Sequence, residues 1–152
     1  MRSPGLLLTL LCGLALTTAS RAADVLPAQI TGVWATADSV FSRDQLIGGT
    51  ALYLLPGGRV ALVGAPLPVR HLDDGSWAAP IIGLAGDARF EPDSGRLIIT
   101  LRNGEQRAVV EARHDAAQQL ILLPQPGQEA QRLLHRAPSV PPALERSLQG
   151  PP

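Results

Sequence analysis

The dipeptide Asn103-Gly104 separates two runs rich in aliphatic residues, 96–102 and 105–112. Such a dipeptide is the strongest short-range hairpin signal, because a type I′ turn demands positive φ at both central residues and Asn and Gly tolerate it best. With Arg102 and Glu105 flanking the turn, partner numbers sum to 207 (102 + 105). One face then carries Arg102/Glu105, Thr100/Arg107, Ile98/Val109 and Arg96/Glu111, with two opposite-charge pairs among them. The other carries Leu101/Gln106, Ile99/Ala108, Leu97/Val110 and Gly95/Ala112, nearly all apolar or small. A slip of one residue would turn every apolar side chain toward water, so burial fixes which face points inward. A looser turn at His114-Asp115 leads to a third strand that ends at Leu123.

Turn signals recur near residues 57, 74, 93, 103 and 115, with short strand-like runs between them. That rhythm predicts an all-β domain. Residues 30–36 read as a first strand. Residues 50–55 and 59–64 read as a hairpin across Pro56-Gly57-Gly58. In residues 37–49, Val40, Phe41, Leu46 and Ile47 have the spacing of one helical turn or a covering loop, ended by Gly48-Gly49. Residues 69–72 make a short edge strand after two prolines, strand character resumes over 77–84 despite Pro80, and 87–90 add another short run. Residues 129–136 fit strand or helix equally, since the Leu133-Leu134 pair does not decide between them. The resulting seven to nine antiparallel strands must manage their edges, and closure into a small β-barrel does so most completely, with a sandwich as the competing arrangement.

The two ends of the chain have different compositions. Arg2, an apolar run over residues 6–16 and the small-residue site Ser20-Arg21-Ala22 together read as a secretory signal peptide over 1–22, cleaved near Ala22. The run is too short to span a bilayer stably. Cys12, the single cysteine, lies inside it after Leu10-Leu11, a poor match to an acylation signal. The expected mature chain therefore has no thiol for a disulfide or a metal, and is periplasmic or secreted. The barrel is expected over residues 23–136. Residues 137–152, APSVPPALERSLQGPP, are proline-rich and expected to be disordered. Beyond the leader, eleven arginines face thirteen acids, a net charge near −2 (11 − 13), with no lysine and no basic cluster for nucleic acid.

With Thr31-Gly32-Val33-Trp34 on the first strand, the chain resembles a small lipocalin or calycin-type barrel. That family opens on Gly-x-Trp, and its tryptophan closes one end of the barrel with an arginine from the last strand packed across the ring. The resemblance implies that role for Trp34, with Arg132 or Arg136 supplying the cation. Secreted bacterial metalloprotease inhibitors have a similar barrel. Both groups usually carry a disulfide, which this chain lacks.

No catalytic constellation emerges. The pairs His71/Asp73 and His114/Asp115 place nitrogen and oxygen ligands close in sequence, but both read as polar turn residues whose acids bond to local backbone. Adjacent strand positions also point to opposite faces. No serine sits in Gly-x-Ser-x-Gly, no glycine-rich turn precedes a helix, and Asp87, Glu91 and Asp93 lack calcium-loop spacing. The expectation is a binding protein rather than an enzyme, with no cofactor and no metal. The aromatic side chains Trp34, Tyr53, Trp77 and Phe90 have two readings: the lining of a mouth that takes a small apolar ligand, or a solid plug at the wider end of the barrel. The alternative to a ligand carrier is a protein-interaction or inhibitor module acting through residues 37–49 or the tail.

Overall fold

The computed structural model describes residues 25–65, 70–71, 77–78 and 82–150. In chain order its elements are β1 (Gly32–Ala35), β2 (Val40–Ser42), β3 (Gln45–Leu54), β4 (Arg59–Ala65), β5 (Arg70–His71), β6 (Trp77–Ala78), β7 (Ile82–Glu91), β8 (Arg96–Asn103), β9 (Gln106–Asp115), β10 (Leu120–Gln125), β11 (Gln128–Ala137) and α1 (Pro142–Gln149). Eight strands pair antiparallel in the order β1-β11-β10-β9-β8-β7-β4-β3, and β3 returns to β1 to close a barrel. The short β2 adds to β3 outside that ring, and β5 pairs only with β6. The all-β barrel read from the turn rhythm is the observed fold, and residues 129–136 resolve as strand. The expected leader lies outside the described residues.

The barrel has two apolar faces, not one. Its interior holds Trp34, Leu52, Leu54, Val60, Leu97, Ile99, Leu101, Ile121 and Leu133, joined by Leu26 and Ile30 from the segment before β1. The alternate residues Val33, Ala35, Ala51, Tyr53 and Ala61 form a second cluster on the outer surface, covered by Val140 and Leu148. Here the tail departs from its expected disorder. Residues 142–149 are helical, with Pro142 opening the first turn, where a proline loses no hydrogen bond. Val140, Leu144 and Leu148 lie four residues apart, so all three face the barrel. The Arg59 guanidinium ties down the far end by donating to the Leu148 carbonyl at 3.1 Å and to Asp87 at 2.8 Å.

Residues 37–49 also differ from expectation. They form neither a helical turn nor a loop but the β2–β3 hairpin, with Phe41 opposite Leu46. Gly48-Gly49 do not end the element, because β3 runs through them and exchanges β2 for β1 as its partner. Gly49 makes the exchange possible. Its φ is +89°, and a Cβ there would stand 2.4 Å from Ser39 Oγ.

The central hairpin keeps its predicted faces but not its predicted partners. Arg102 stands opposite Arg107 and Asn103 opposite Gln106, so partner numbers sum to 209 (102 + 107). The two-residue loop is Gly104-Glu105, with positive φ at Gly104 alone, the pattern of a type II′ turn rather than I′. The Arg96–Glu111 ion pair survives on the diagonal at 2.9 Å. Arg102 turns from Glu105 to Asp87 at 3.0 Å. Leu97 and Ile99 are fully buried and Val110 is half-buried, whereas Ala108, on the same face, is exposed where the hairpin outruns the barrel.

Candidate functional site

One end of the barrel is covered over Trp34, beside a recess of about 480 Å³ that Gln29, Phe90 and His114 border. The turn at residues 27–31, closed by Ile30 N–H donating to the Pro27 carbonyl at 2.9 Å, folds Leu26 and Ile30 across the opening. Trp34 lies beneath it, wholly buried, with its indole N–H donating to the Ile30 carbonyl at 2.8 Å. The implied arginine is not across its ring. The His135 imidazole takes that place, 4.4 Å between centroids, and reaches the Thr31 carbonyl at 3.1 Å. Arg136 points outward to the Thr36 and Ala37 carbonyls, and Arg132 donates to Gln118. Neighbouring strand positions face opposite ways, so the residue that can meet an inward Trp34 from β11 is 135 and not 136.

The three aromatic candidates with described side chains do not all converge. Trp34 and Phe90 belong to the interior, both edge-on to His114 at 5.6 and 6.0 Å. Tyr53 lies on the outer face, because β1 and β3 pair Val33 with Tyr53 and Trp34 with Leu52. The Trp77 side chain falls outside the described residues. Trp34 is wholly buried at this end, whereas the half-buried Phe90 borders a recess of about 480 Å³.

His114 is buried to 7% exposure, and its Nε2 has no hydrogen-bond partner among the described residues. Burial holds its pKa below the ordinary 6.5; the Asp115 carboxylate opposes that shift and His135 adds to it. A base with a lowered folded pKa binds fewer protons folded than unfolded. Its contribution is therefore constant above about 6.5 and is lost as pH falls through that value toward the folded pKa. Urea midpoints at about pH 7.5 and 5.5 should fall further for the natural chain than for His114→Phe, which cannot titrate there. Equal falls in the two proteins would show that His114 is not the source.

His114 and Asp115 diverge, as adjacent strand positions must; Asp115 accepts from the Gln118 N–H at 3.0 Å. His71 and Asp73 lie outside the described side chains. Asp87 is held by Arg59 and Arg102, and Glu91 by Arg89 and Arg96, so these acids serve ion pairs. Among the described residues no group of three or more His, Cys, Asp or Glu side chains is placed to hold a metal.

Among the described residues, the opposite end is open. There the inward-facing Leu62, Leu84 and Val110 are only half-buried, and with Leu123 and Pro124 they line a pocket of about 340 Å³. Gly64 and Thr50 complete its β3–β4 side. Among the described residues, Thr50, Gln125 and Gln131 are the polar side chains that border it. Sequence alone did not single out this mouth, since its residues are ordinary strand aliphatics whose exposure depends on where the plug sits. No protein-family model, curated protein or solved structure matches this chain.

Proposed function

We propose that this chain is an exported binding protein whose ligand is a small apolar molecule held at the open mouth of the barrel. The supporting observation is the apolar lining of this mouth: Leu62, Leu84 and Val110 stand half-buried around about 340 Å³, whereas the recess of about 480 Å³ at the other end is bordered by Gln29, Arg113, His114 and Asp115. The mouth's volume lies at the lower end of small-molecule sites, at about 300–1,000 Å³. Each aliphatic side chain covered by a ligand returns free energy at roughly 25 cal/mol per Å² of apolar surface. Thr50, Gln125 and Gln131 offer the few polar contacts that would orient a guest. Export rests on the leader-like residues 1–22.

The test uses the neutral fluorophore N-phenyl-1-naphthylamine with the natural chain and with Val110→Arg. A long arginine can snorkel from the rim into water, so the barrel is retained while its stem and charge occupy the mouth. Saturable binding to the natural chain, weakened about tenfold or more by the substitution, is the expected result. A natural chain that takes up no fluorophore, or a variant that binds it equally well, overturns the proposal.

A further inference from the structure

A second recess lies on the outer face, where the β2–β3 turn approaches the segment leading into α1. It encloses about 390 Å³, has Val33, Tyr53 and Val140 as its floor and Phe41 as an apolar wall, and is closed on the tail side by Pro141 and Pro142. Neither proline has an N–H, so these two residues offer a guest no backbone donor. The residues 37–49 and the tail, unrelated in sequence, are brought together here.

Two features of this recess suit a polar guest. The first is Tyr53, only 3% exposed, whose hydroxyl makes no hydrogen bond among the described residues and yet borders the recess. The ring is buried but the hydroxyl reaches the recess, where it is free to donate to a guest acceptor. Burial also raises its pKa, which keeps the hydroxyl protonated and able to donate. The second is Arg43, one of two non-glycine residues with positive φ among those described, at 55°. Arg43 and Asp44 form the two-residue turn between β2 and β3, and positive φ at the first position is what a type II′ hairpin turn requires. The turn sets a guanidinium on the rim with no ion pair among the described residues, opposite Arg136, which uses one nitrogen on the Thr36 and Ala37 carbonyls. Asp44 is the one acid on the lining, leaving a balance of +1 (two arginines less one aspartate).

We propose that this recess binds a small amphipathic carboxylate, its apolar body against Phe41, Val33 and Val140 and its carboxylate at the Arg43–Arg136 rim, with the Tyr53 hydroxyl donating to the guest. Guanidinium groups suit this ligand because their N–H fork matches the two carboxylate oxygens. The site is separate from the barrel mouth and does not depend on it.

The full chain is titrated with decanoate and, separately, with decanol of the same length, by calorimetry and by two-dimensional NMR. Arg43→Gly suits the test because glycine accepts the left-handed turn without strain, so the hairpin is kept while the cation is lost. Saturable decanoate binding is expected, with shifts centred on Phe41, Tyr53 and Val140. Arg43→Gly should weaken it about tenfold, and Tyr53→Phe about threefold, in line with loss of charge-assisted and neutral hydrogen bonds. Decanol should not shift those residues, and Val110→Arg should leave decanoate binding there unchanged. Equal shifts from decanol, decanoate binding indifferent to both Arg43→Gly and Tyr53→Phe, or no saturable binding overturns the proposal. Decanoate shifts confined to Leu62, Leu84 and Val110 would overturn it too while leaving the mouth reading intact.

Discussion

Trp34→Ala should destabilise the barrel by about 3–5 kcal/mol, the range for deleting a large core aromatic, and so remove much of the 5–15 kcal/mol typical of a domain. Three losses fall together at this position. The indole is wholly buried, so its removal leaves a void beneath the turn at residues 27–31. The Ile30 carbonyl loses its 2.8 Å donor, and His135 loses the ring it stacks on. Trp34→Phe separates these contributions by keeping an aromatic ring while leaving the carbonyl unpaired, at a cost of about 1–3 kcal/mol for the unmet hydrogen bond. Urea unfolding followed by circular dichroism reads both variants. A Trp34→Ala midpoint within experimental scatter of the natural chain would mean that Trp34 does not close this end.

The features legible in the sequence were those that alternation and turn chemistry encode separately. Asn103-Gly104 located the hairpin, and alternation separated Leu97, Ile99 and Leu101 from Arg96, Ile98 and Thr100. The exact pairing was not legible, because a shift of two residues leaves every side chain on the same face. Only the turn distinguishes 207 from 209, and Gly104 satisfies a type II′ turn as readily as a type I′. Tyr53 was assigned to the interior for a related reason. On β3, Leu52 and Leu54 are apolar, but so are Ala51, Tyr53 and Leu55, since α1 covers the outer face. A strand buried on both sides carries no period of two. The helix that causes this ambiguity was hidden by the prolines around it. Its signal was Val140, Leu144 and Leu148 at intervals of four, which proline-rich composition outweighed in the reading. The mouth and the outer recess depend on which end is plugged and on two distant segments meeting. Neither is written in any local stretch.

Gly86→Ala should cost on the order of 3 kcal/mol or more, at or beyond the upper end of ordinary overpacking, although it adds a single carbon. β7 pairs with β4 through Gly86↔Val60 and with β8 through Gly86↔Leu101, so the residue is flanked on both sides. A Cβ there would stand 1.8 Å from the Thr100 carbonyl oxygen and 3.0 Å from the Leu101 Cα. Both obstacles are backbone, and neither can swing aside as a side chain would. Accommodating the methyl means forcing β8 away from β7, which strains the closed ring. The glycine thus allows a close backbone approach where the sheet curls shut, a recurrent use of glycine in barrels. Gly83→Ala on the same strand is the internal comparison. Its Cβ would meet only Val63 Cγ2, at 3.6 Å, an ordinary contact, so a change within about 0.5 kcal/mol is expected there. Both substitutions remove one glycine from one strand and share its propensity effect. A large difference between their urea midpoints therefore isolates the approach of β8. If the two variants unfold together, Gly86 is not what lets the barrel close.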